Sequence, residues 1–169
     1  MRVALTGTPG TGKTSAAARL DVPVVALGDV VEREGLWTDR DDDRDSLVVD
    51  LAAAEEWLAA NAPDGDHVVE SHRAHLLPAE RVVVLRCRPD RLRERLAERG
   101  VPEPKAAENA ESEALDVVLS ETVERVGRDA TYEVDTTDLT PAETAAAVEA
   151  VLAGERDPSA GTVEFVDHL

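Results

Sequence analysis

Aromatic residues, methionine and cysteine are scarce in this sequence. Its 169 residues include two Trp, one Tyr, one Phe, one Met and one Cys, so a core must be built from Val, Leu and Ala. A single cysteine, Cys87, cannot form an internal disulfide or a cysteine-based metal site, and we predict a small buried apolar residue there. No apolar run approaches the roughly 18 residues of a membrane span, and no signal-peptide pattern is present. We therefore expect a cytoplasmic protein that does not associate with membranes.

Positive charge is also scarce. The chain carries 36 acidic and 18 basic residues, a formal net charge of −18, and only two of the bases, Lys13 and Lys105, are lysines. Such a chain repels itself in dilute buffer, whereas at about 1 M salt the Debye length shrinks to about 3 Å. We interpret the surface as adapted to high salt. Its acidity argues against generic binding to nucleic-acid backbones and is compatible with a basic protein partner.

Short apolar runs alternate with helical patterns along the chain. The predicted strands are 2–6, 22–27, 66–71, 80–87 and 131–136. The predicted helices are 13–20, 28–36, 46–62, 89–99, 102–127 and 140–154, with Asp29 capping the second and Thr140 the last. We predict an exposed acidic loop at 38–45, and a tail at 154–169 in which residues 162–166 add an edge strand. The alternation predicts an α/β fold with a five-stranded parallel sheet covered by helices on both faces.

The stretch GTPGTGKT, residues 7–14, fits the phosphate-loop pattern G-x-x-x-x-G-K-[ST] between a strand and a helix. Gly10 and Gly12 allow the backbone N–H groups to turn inward around a phosphate chain. Lys13 can reach the β- and γ-phosphates, and the Thr14 hydroxyl can ligate Mg²⁺. We predict an ATP site here, with Ser15 as a further contact.

Three other stretches follow predicted strands, at 28–29, 70–72 and 86–88. Ligands of doubly wound sheets bind at the carboxyl ends of the strands. We therefore expect these stretches to surround the same cleft as the phosphate loop.

Four blocks of the sequence resemble, in order and spacing, the atypical isoenzyme 6 branch of the adenylate kinase superfamily. The blocks are GTPGTGKT, ALGDVVERE with RDSLVVD, VVESHRAHLLP with VVVLR, and RLAERGVPEPKAAENAESEAL. Together they span about residues 1–120. The resemblance implies a three-layer P-loop kinase fold in a domain of residues 1–153. A nucleoside monophosphate (NMP) region is implied at about 28–51 and a short lid at about 98–108.

The same resemblance implies transfer of a phosphoryl group from ATP to AMP, with Mg²⁺ as the cofactor. This branch is also associated with ATPase action during assembly of the small ribosomal subunit, which implies a basic small-subunit ribosomal protein as a partner. Two alternatives stay open from the sequence: mainly an ATPase with weak kinase activity, or another small-molecule kinase of the shikimate or gluconate type.

The resemblance also implies roles for individual residues on the acceptor side. Gly28 and Asp29 resemble the Gly-Asp pair that opens the NMP-binding region. The family's arginine four residues after the glycine is absent, because Glu32 occupies that position. Arg33 follows directly and is our predicted acceptor contact.

Glu70 and His72 stand where the branch carries an acid-x-His motif. The resemblance implies that Glu70 holds Mg²⁺ through water and that His72 orients a nucleophilic water near the γ-phosphate. Arg99 matches the arginine at the lid entrance, which pairs with ATP. Arg95 is a weaker candidate for the same role, and we predict that Arg91 belongs to a solvated helix face.

Overall fold

The computed structural model describes residues 1–42 and 46–169. Seven strands are present in that part of the chain: β1 (Arg2–Gly7), β2 (Val24–Ala26), β3 (Trp37–Asp41), β4 (Ser46–Val49), β5 (His67–Glu70), β6 (Arg81–Arg86) and β7 (Thr131–Asp135). Five of them form one parallel sheet in the order β2-β5-β1-β6-β7, while β3 and β4 form a separate antiparallel hairpin. The predicted five-stranded parallel sheet is confirmed.

Helices cover both faces of the sheet. They are α1 (Lys13–Ala17), α2 (Leu27–Glu34), α3 (Leu51–Asn61), α4 (Pro89–Glu98), α5 (Glu103–Ala114), α6 (Val117–Val126) and α7 (Pro141–Leu152). One core contains buried side chains of α2, α3 and α6, and a second contains those of α1 and α7. A small third cluster joins α4 to α5 around Cys87, which is buried as predicted. The result is the three-layer α/β arrangement expected from the alternating pattern.

Two predictions around the hairpin were wrong. Helix α2 begins at Leu27, immediately after β2, so its N-cap is Ala26 and Asp29 lies in the first turn instead. The predicted helix 46–62 starts as a strand, because the β-branched run of β4 pairs with β3. The helix itself begins after Asp50, whose carboxylate accepts a hydrogen bond from the Ala53 N–H at 3.1 Å.

The predicted loop at 38–45 was also partly wrong, because the chain continues as strand β3 to Asp41. Residues 43–45 of that loop lie outside the described part of the chain.

The predicted long helix 102–127 is two helices. Asp116 separates α5 from α6 in a left-handed conformation with φ of 55°, and its carboxylate pairs with Arg86 of β6. A contact 30 residues away in the chain therefore overrides the local helical pattern. By contrast, the predicted start of α7 is confirmed, with Thr140 and Glu143 forming a capping box.

The carboxy-terminal tail lies along β7 without forming the predicted edge strand. The Ser159 N–H donates to Thr131 O at 3.0 Å, and the Ser159 hydroxyl accepts from the Glu133 N–H at 2.9 Å. The Ser159 side chain thus replaces a backbone hydrogen bond of a strand ladder, and the N–H groups of Thr162 and Val163 donate to the Glu133 carboxylate. The segment Val166–His168 is a short 3₁₀ helix. In residues 1–42 and 46–169, no helix is both long and apolar enough to cross a membrane.

Candidate active site

A cleft of about 900 Å³ opens at the carboxyl ends of the parallel strands. Its walls come from the phosphate loop after β1, from α2 and the β3–β4 hairpin, from the end of β5, from α4 and from the β7–α7 loop. Ten individually predicted site residues line it: Gly10, Gly12, Lys13, Thr14, Ser15, Gly28, Asp29, Glu70, His72 and Arg99. The topology therefore brings together side chains that lie up to 89 positions apart in the chain. The stretch 86–88, which was also expected at the cleft, does not line it, because Arg86 is buried in an ion-pair cluster with Glu113 and its neighbours.

The phosphate loop is a closed turn with Lys13 folded across it. Lys13 Nζ donates to Gly7 O at 2.8 Å and to Thr8 O at 3.1 Å, and the residue is only 8% exposed. Thr8 O also accepts from the Thr11 N–H and hydroxyl. Gly10 and Gly12 have φ values of 93° and 100°, which L side chains adopt at a cost. The loop thus holds its lysine at the floor of the cleft.

Burial lowers the pKa of Lys13 from its ordinary 10.5 to about 8. The negative charges of Glu70 and Glu113 oppose this shift, whereas Arg99 adds to it. A lysine with this pKa is still mostly protonated at pH 7 and can bind phosphate oxygens. Because it is desolvated before a ligand arrives, its contact with a phosphate loses little hydration.

Glu70 and His72 line the cleft at the end of β5, close enough to Lys13 for its charge to affect the pKa of each. Burial raises the pKa of the half-buried Glu70 carboxyl, and the nearby Lys13 ammonium opposes the rise. The cleft walls and then the positive charges of Lys13 and Arg73 lower the pKa of His72. This shift places the pKa of His72 below neutrality even though the residue remains exposed to solvent. His72 is therefore neutral near pH 7, and one ring nitrogen can accept a hydrogen bond.

His75, three residues further on, belongs to the core instead of the cleft. It is 1% exposed, with its ring nitrogens 2.7 Å from Thr6 Oγ1 and 2.8 Å from Glu121 Oε2. These contacts secure the chain after β5 against β1 and α6.

Two arginines line the cleft from α4 and its C-cap, one held by hydrogen bonds and the other exposed. Arg95 is secured to the β7–α7 loop, since its guanidinium donates to Thr136 Oγ1, Thr136 O and Thr137 O at 3.1, 2.7 and 3.3 Å. Arg99, at the C-cap of α4, is exposed at the rim and makes no side-chain hydrogen bond or ion pair with the described residues. Arg91 pairs with Glu94 on the helix surface. Arg99 is thus the arginine that is free to contact a ligand.

The opposite wall, formed by α2 and β4, is acidic and apolar. Asp29 and Glu32 line it together with Val31, Leu47 and Val49. Arg33, the predicted acceptor contact, also lies outside the cleft: it is exposed on α2 and pairs with Glu34 at 3.3 Å. A helix turns by about 100° per residue, so the one-residue offset from the family position carries Arg33 away from the face that Glu32 occupies.

A buried contact that the sequence analysis missed joins the phosphate loop to α5. The Thr8 hydroxyl donates to Glu113 Oε2 at 2.6 Å, and Glu113 Oε1 accepts from Arg86 at 2.8 Å. Glu113 lies on the face of α5 that also buries Ala106 and Ala110. That helical spacing was a usable signal that this carboxylate points inward.

With the geometry established, comparison with known proteins identifies the family. A family model described as "AAA domain" matches residues 3–116. A protein of Natronomonas pharaonis named "Putative adenylate kinase" is 57% identical over 171 residues, which cover the whole of both chains. The chain belongs to the archaeal adenylate kinase family. A member of the same name from Halobacterium salinarum is 53% identical over 172 residues and the full length of both chains. One from Archaeoglobus fulgidus is 42% identical, covering 93% of this chain and 85% of its own.

Solved structures of P-loop kinases share the fold of this adenylate kinase family member. The shikimate kinase from Acinetobacter baumannii in complex with shikimate has a TM-score of 0.60 at 13% identity, covering 92% of this chain and 94% of its own. A deoxyadenosine kinase from M. mycoides has a TM-score of 0.55 at 14% identity, covering 92% and 100%. At such identities the similarity shows the fold alone, and it confirms the predicted P-loop kinase architecture.

Proposed function

We propose that this protein transfers the γ-phosphoryl group of ATP to AMP, forming two ADP, with Mg²⁺ as cofactor. The observation that carries the proposal is a cleft in which a complete phosphate loop faces a second wall of apolar and acidic side chains. Its volume of about 900 Å³ is near the upper end for small-molecule sites, as two nucleotides would require. The adenylate kinase name of its full-length relatives supports the choice of substrates.

On the donor side, the inward-facing N–H groups of residues 7–14 and the Lys13 ammonium would bind the β- and γ-phosphates of ATP. Lys13 Nζ exchanges its bonds with Gly7 O and Thr8 O for bonds to phosphate oxygens. Arg99 at the rim supplies a mobile cation to the same phosphates. Phosphoryl transfer gains most from such fixed positive charge, because the transition state spreads negative charge over the transferred group.

The residues present fit a magnesium ion that is held mainly by phosphate and water. Thr14 presents an exposed hydroxyl to the cleft and Glu70 a half-buried carboxylate. In the described part of the chain, no group of three His, Cys, Asp or Glu side chains could form a cage by itself. A site with so few protein ligands suits Mg²⁺, because the ion keeps several waters and takes one or two protein ligands. A magnesium ion held there would supply positive charge to the phosphates during transfer.

On the acceptor side, Val31, Leu47 and Val49 offer apolar contact to a nucleobase, and a Cβ built at Gly28 would meet nothing within 4 Å. A nucleotide can therefore approach the α2 backbone closely. We keep Asp29 as a polar contact on this wall. Arg33 would have to leave Glu34 to take part, so we propose that the Arg99 guanidinium contacts the AMP phosphate as well as the phosphates of ATP.

Hydrolysis of ATP is the second candidate, and one observation favours it. Of the described residues on the acceptor wall, Asp29 and Glu32 carry charge and both are negative. That wall repels a nucleoside monophosphate but accommodates water as the acceptor. A neutral His72 can accept a hydrogen bond from such a water, and the Glu70 carboxylate can accept the second hydrogen bond from the same water. This activity would fit an assembly factor whose partner is a basic small-subunit ribosomal protein, which would pair directly with acidic side chains of a surface whose net charge is −18.

The deciding experiment measures ADP and inorganic phosphate formed from Mg·ATP in about 2 M KCl, with and without AMP. An AMP-dependent increase that yields two ADP per ATP consumed supports the kinase. Equal amounts of ADP and phosphate, independent of AMP, would instead support the ATPase. His72→Gln is the informative variant, because it should depress hydrolysis more than ATP binding. A parallel loss of ATP affinity would show that His72 acts through structure alone.

A further inference from the structure

Glu113 of α5 lies buried between the phosphate loop and the end of β6. It is 2% exposed, and both carboxylate oxygens are occupied. Oε2 accepts from Thr8 Oγ1 at 2.6 Å, and Oε1 accepts from Arg86 Nε at 2.8 Å and from the Cys87 N–H at 3.1 Å. One side chain thus fixes the loop relative to the adjacent strand.

Arg86 is itself held from three sides, which prevents Glu113 from turning away. Besides Glu113, its guanidinium pairs with Asp116 and Glu133, and Phe165 of the tail lies 5.4 Å from it. Burial opposes the charged form, yet the three carboxylates together raise the pKa of Arg86 above its ordinary value. The position of Glu113 Oε2 is therefore set by a charged cluster whose residues lie outside the cleft lining.

Thr8 connects Glu113 to Lys13 of the phosphate loop. Its hydroxyl is held by Glu113, while its carbonyl oxygen is one of the two that bind Lys13 Nζ. The same carbonyl closes the loop by accepting from Thr11. A displacement of Thr8 would therefore shift both the N–H groups that face phosphate and the resting place of the ammonium group.

We propose that Glu113 is a positioning residue for the phosphate loop, acting through the Thr8 hydroxyl on the geometry of Lys13. The proposal rests on the proposed function only in requiring that the loop binds a nucleoside di- or triphosphate. Helix α5 follows the turn at 99–102 that begins with Arg99, so Glu113 also joins the rim of the cleft to its floor.

The test uses Thr8, because removing Glu113 leaves Arg86 short of a partner and can unfold the protein. Thr8→Val keeps the shape and removes the hydroxyl, while Thr8→Ser keeps the hydroxyl. Thr122→Val is the matched control: its hydroxyl is equally buried but donates to Val118 O inside α6. The Kd of ADP and of Mg·ATP is measured by calorimetry in about 2 M KCl, beside thermal unfolding.

Thr8→Val should raise both Kd values by about tenfold, the loss of one hydrogen bond to a charged group. Thr8→Ser should stay within about twofold of the unmodified protein, and Thr122→Val should lose stability without losing affinity. An unchanged Kd for Thr8→Val, an equal loss for Thr8→Ser, or an equal loss for Thr122→Val would overturn the proposal. Absence of ADP and ATP binding by the unmodified protein would refute the proposed function instead, so the two failures are distinguishable.

Discussion

The pH dependence of ATP binding tests the site most directly, because it depends on the desolvation of one lysine. A decrease of the Lys13 pKa from 10.5 to about 8 corresponds to roughly 3 kcal/mol against the protonated form. The charged form exists below this pKa and is lost as pH rises through it. In the free protein, Lys13 is then about nine-tenths protonated at pH 7 and about one-tenth at pH 9. The Kd of ATP should rise about tenfold over that interval.

A Glu70 variant distinguishes this explanation from a general loss of ATP binding at alkaline pH. The negative charge of Glu70 is the largest influence that opposes the lowered pKa of Lys13. Glu70→Gln removes that charge at nearly constant shape, so the midpoint of the alkaline decline should move to lower pH. Salt does not abolish this coupling as it would for surface charges, since Lys13 is buried and Glu70 is half-buried. The midpoint is compared, not the affinity, because removing a carboxylate also relieves repulsion of ATP.

The assay is calorimetric titration with ATP from pH 6 to 10, without divalent metal, so that any magnesium role of Glu70 does not interfere. Glu124→Gln is the control, since Glu124 is exposed on α6 outside the cleft lining. Its profile should match the unmodified protein. A Glu70→Gln midpoint that stays in place or moves to higher pH would refute the electrostatic reasoning. A flat profile for the unmodified protein up to pH 10 would refute the lowered pKa itself.

Three further predictions concern the loop, the tail and the rim. Gly10→Ala should cost about 2–4 kcal/mol of unfolding free energy in urea, because its Cβ would lie 2.9 Å from two buried leucines of α4 in addition to the strain of its positive φ. Gly12→Ala adds strain without a clash and should cost only about 1–2 kcal/mol; equal costs would contradict this. Phe165→Ala should cost about 3–5 kcal/mol of unfolding free energy, because the buried ring packs on the Arg86 guanidinium. A loss under about 0.5 kcal/mol would show that the tail does not contribute to stability. Arg99→Met should lower AMP-dependent ADP formation at least tenfold and should lower ATP hydrolysis less. Equal losses of the two activities would indicate that Arg99 contacts ATP and not AMP.

The phosphate loop could be predicted from the sequence because all its information is local. The glycines, Lys13 and Thr14 follow one another directly, and a preceding apolar strand fixes where they stand in an α/β sheet. Glu70 and His72 were placed for the same reason, since both come directly after a strand that borders β1. For such residues, the carboxyl-end rule of parallel sheets suffices to predict a shared cleft.

The errors arose where contacts distant in sequence decide the local structure. Thr8 and Glu113 lie 105 residues apart, so although the helical spacing with Ala106 and Ala110 could have indicated a buried Glu113, no local signal identifies Thr8 as its partner. Asp116 breaks that helix only because Arg86 stands opposite, which no local pattern can show. Arg33 failed for another reason: a one-residue offset within α2 changes the face of the helix, and a sequence match does not fix rotational phase.

The distribution of charge explains how so acidic a protein can bind a polyanion. Exposed charges are screened within about 3 Å at 1 M salt, so neither surface repulsion nor surface attraction would guide ATP at the salt concentrations we infer. Binding must then depend on groups that salt cannot reach. One of only two lysines in the chain is Lys13, which is placed at the floor of the cleft and held by backbone carbonyls. Buried contacts with Glu113 and Thr8 in turn fix that floor, so the geometry for phosphate binding is set by interactions that high salt leaves intact.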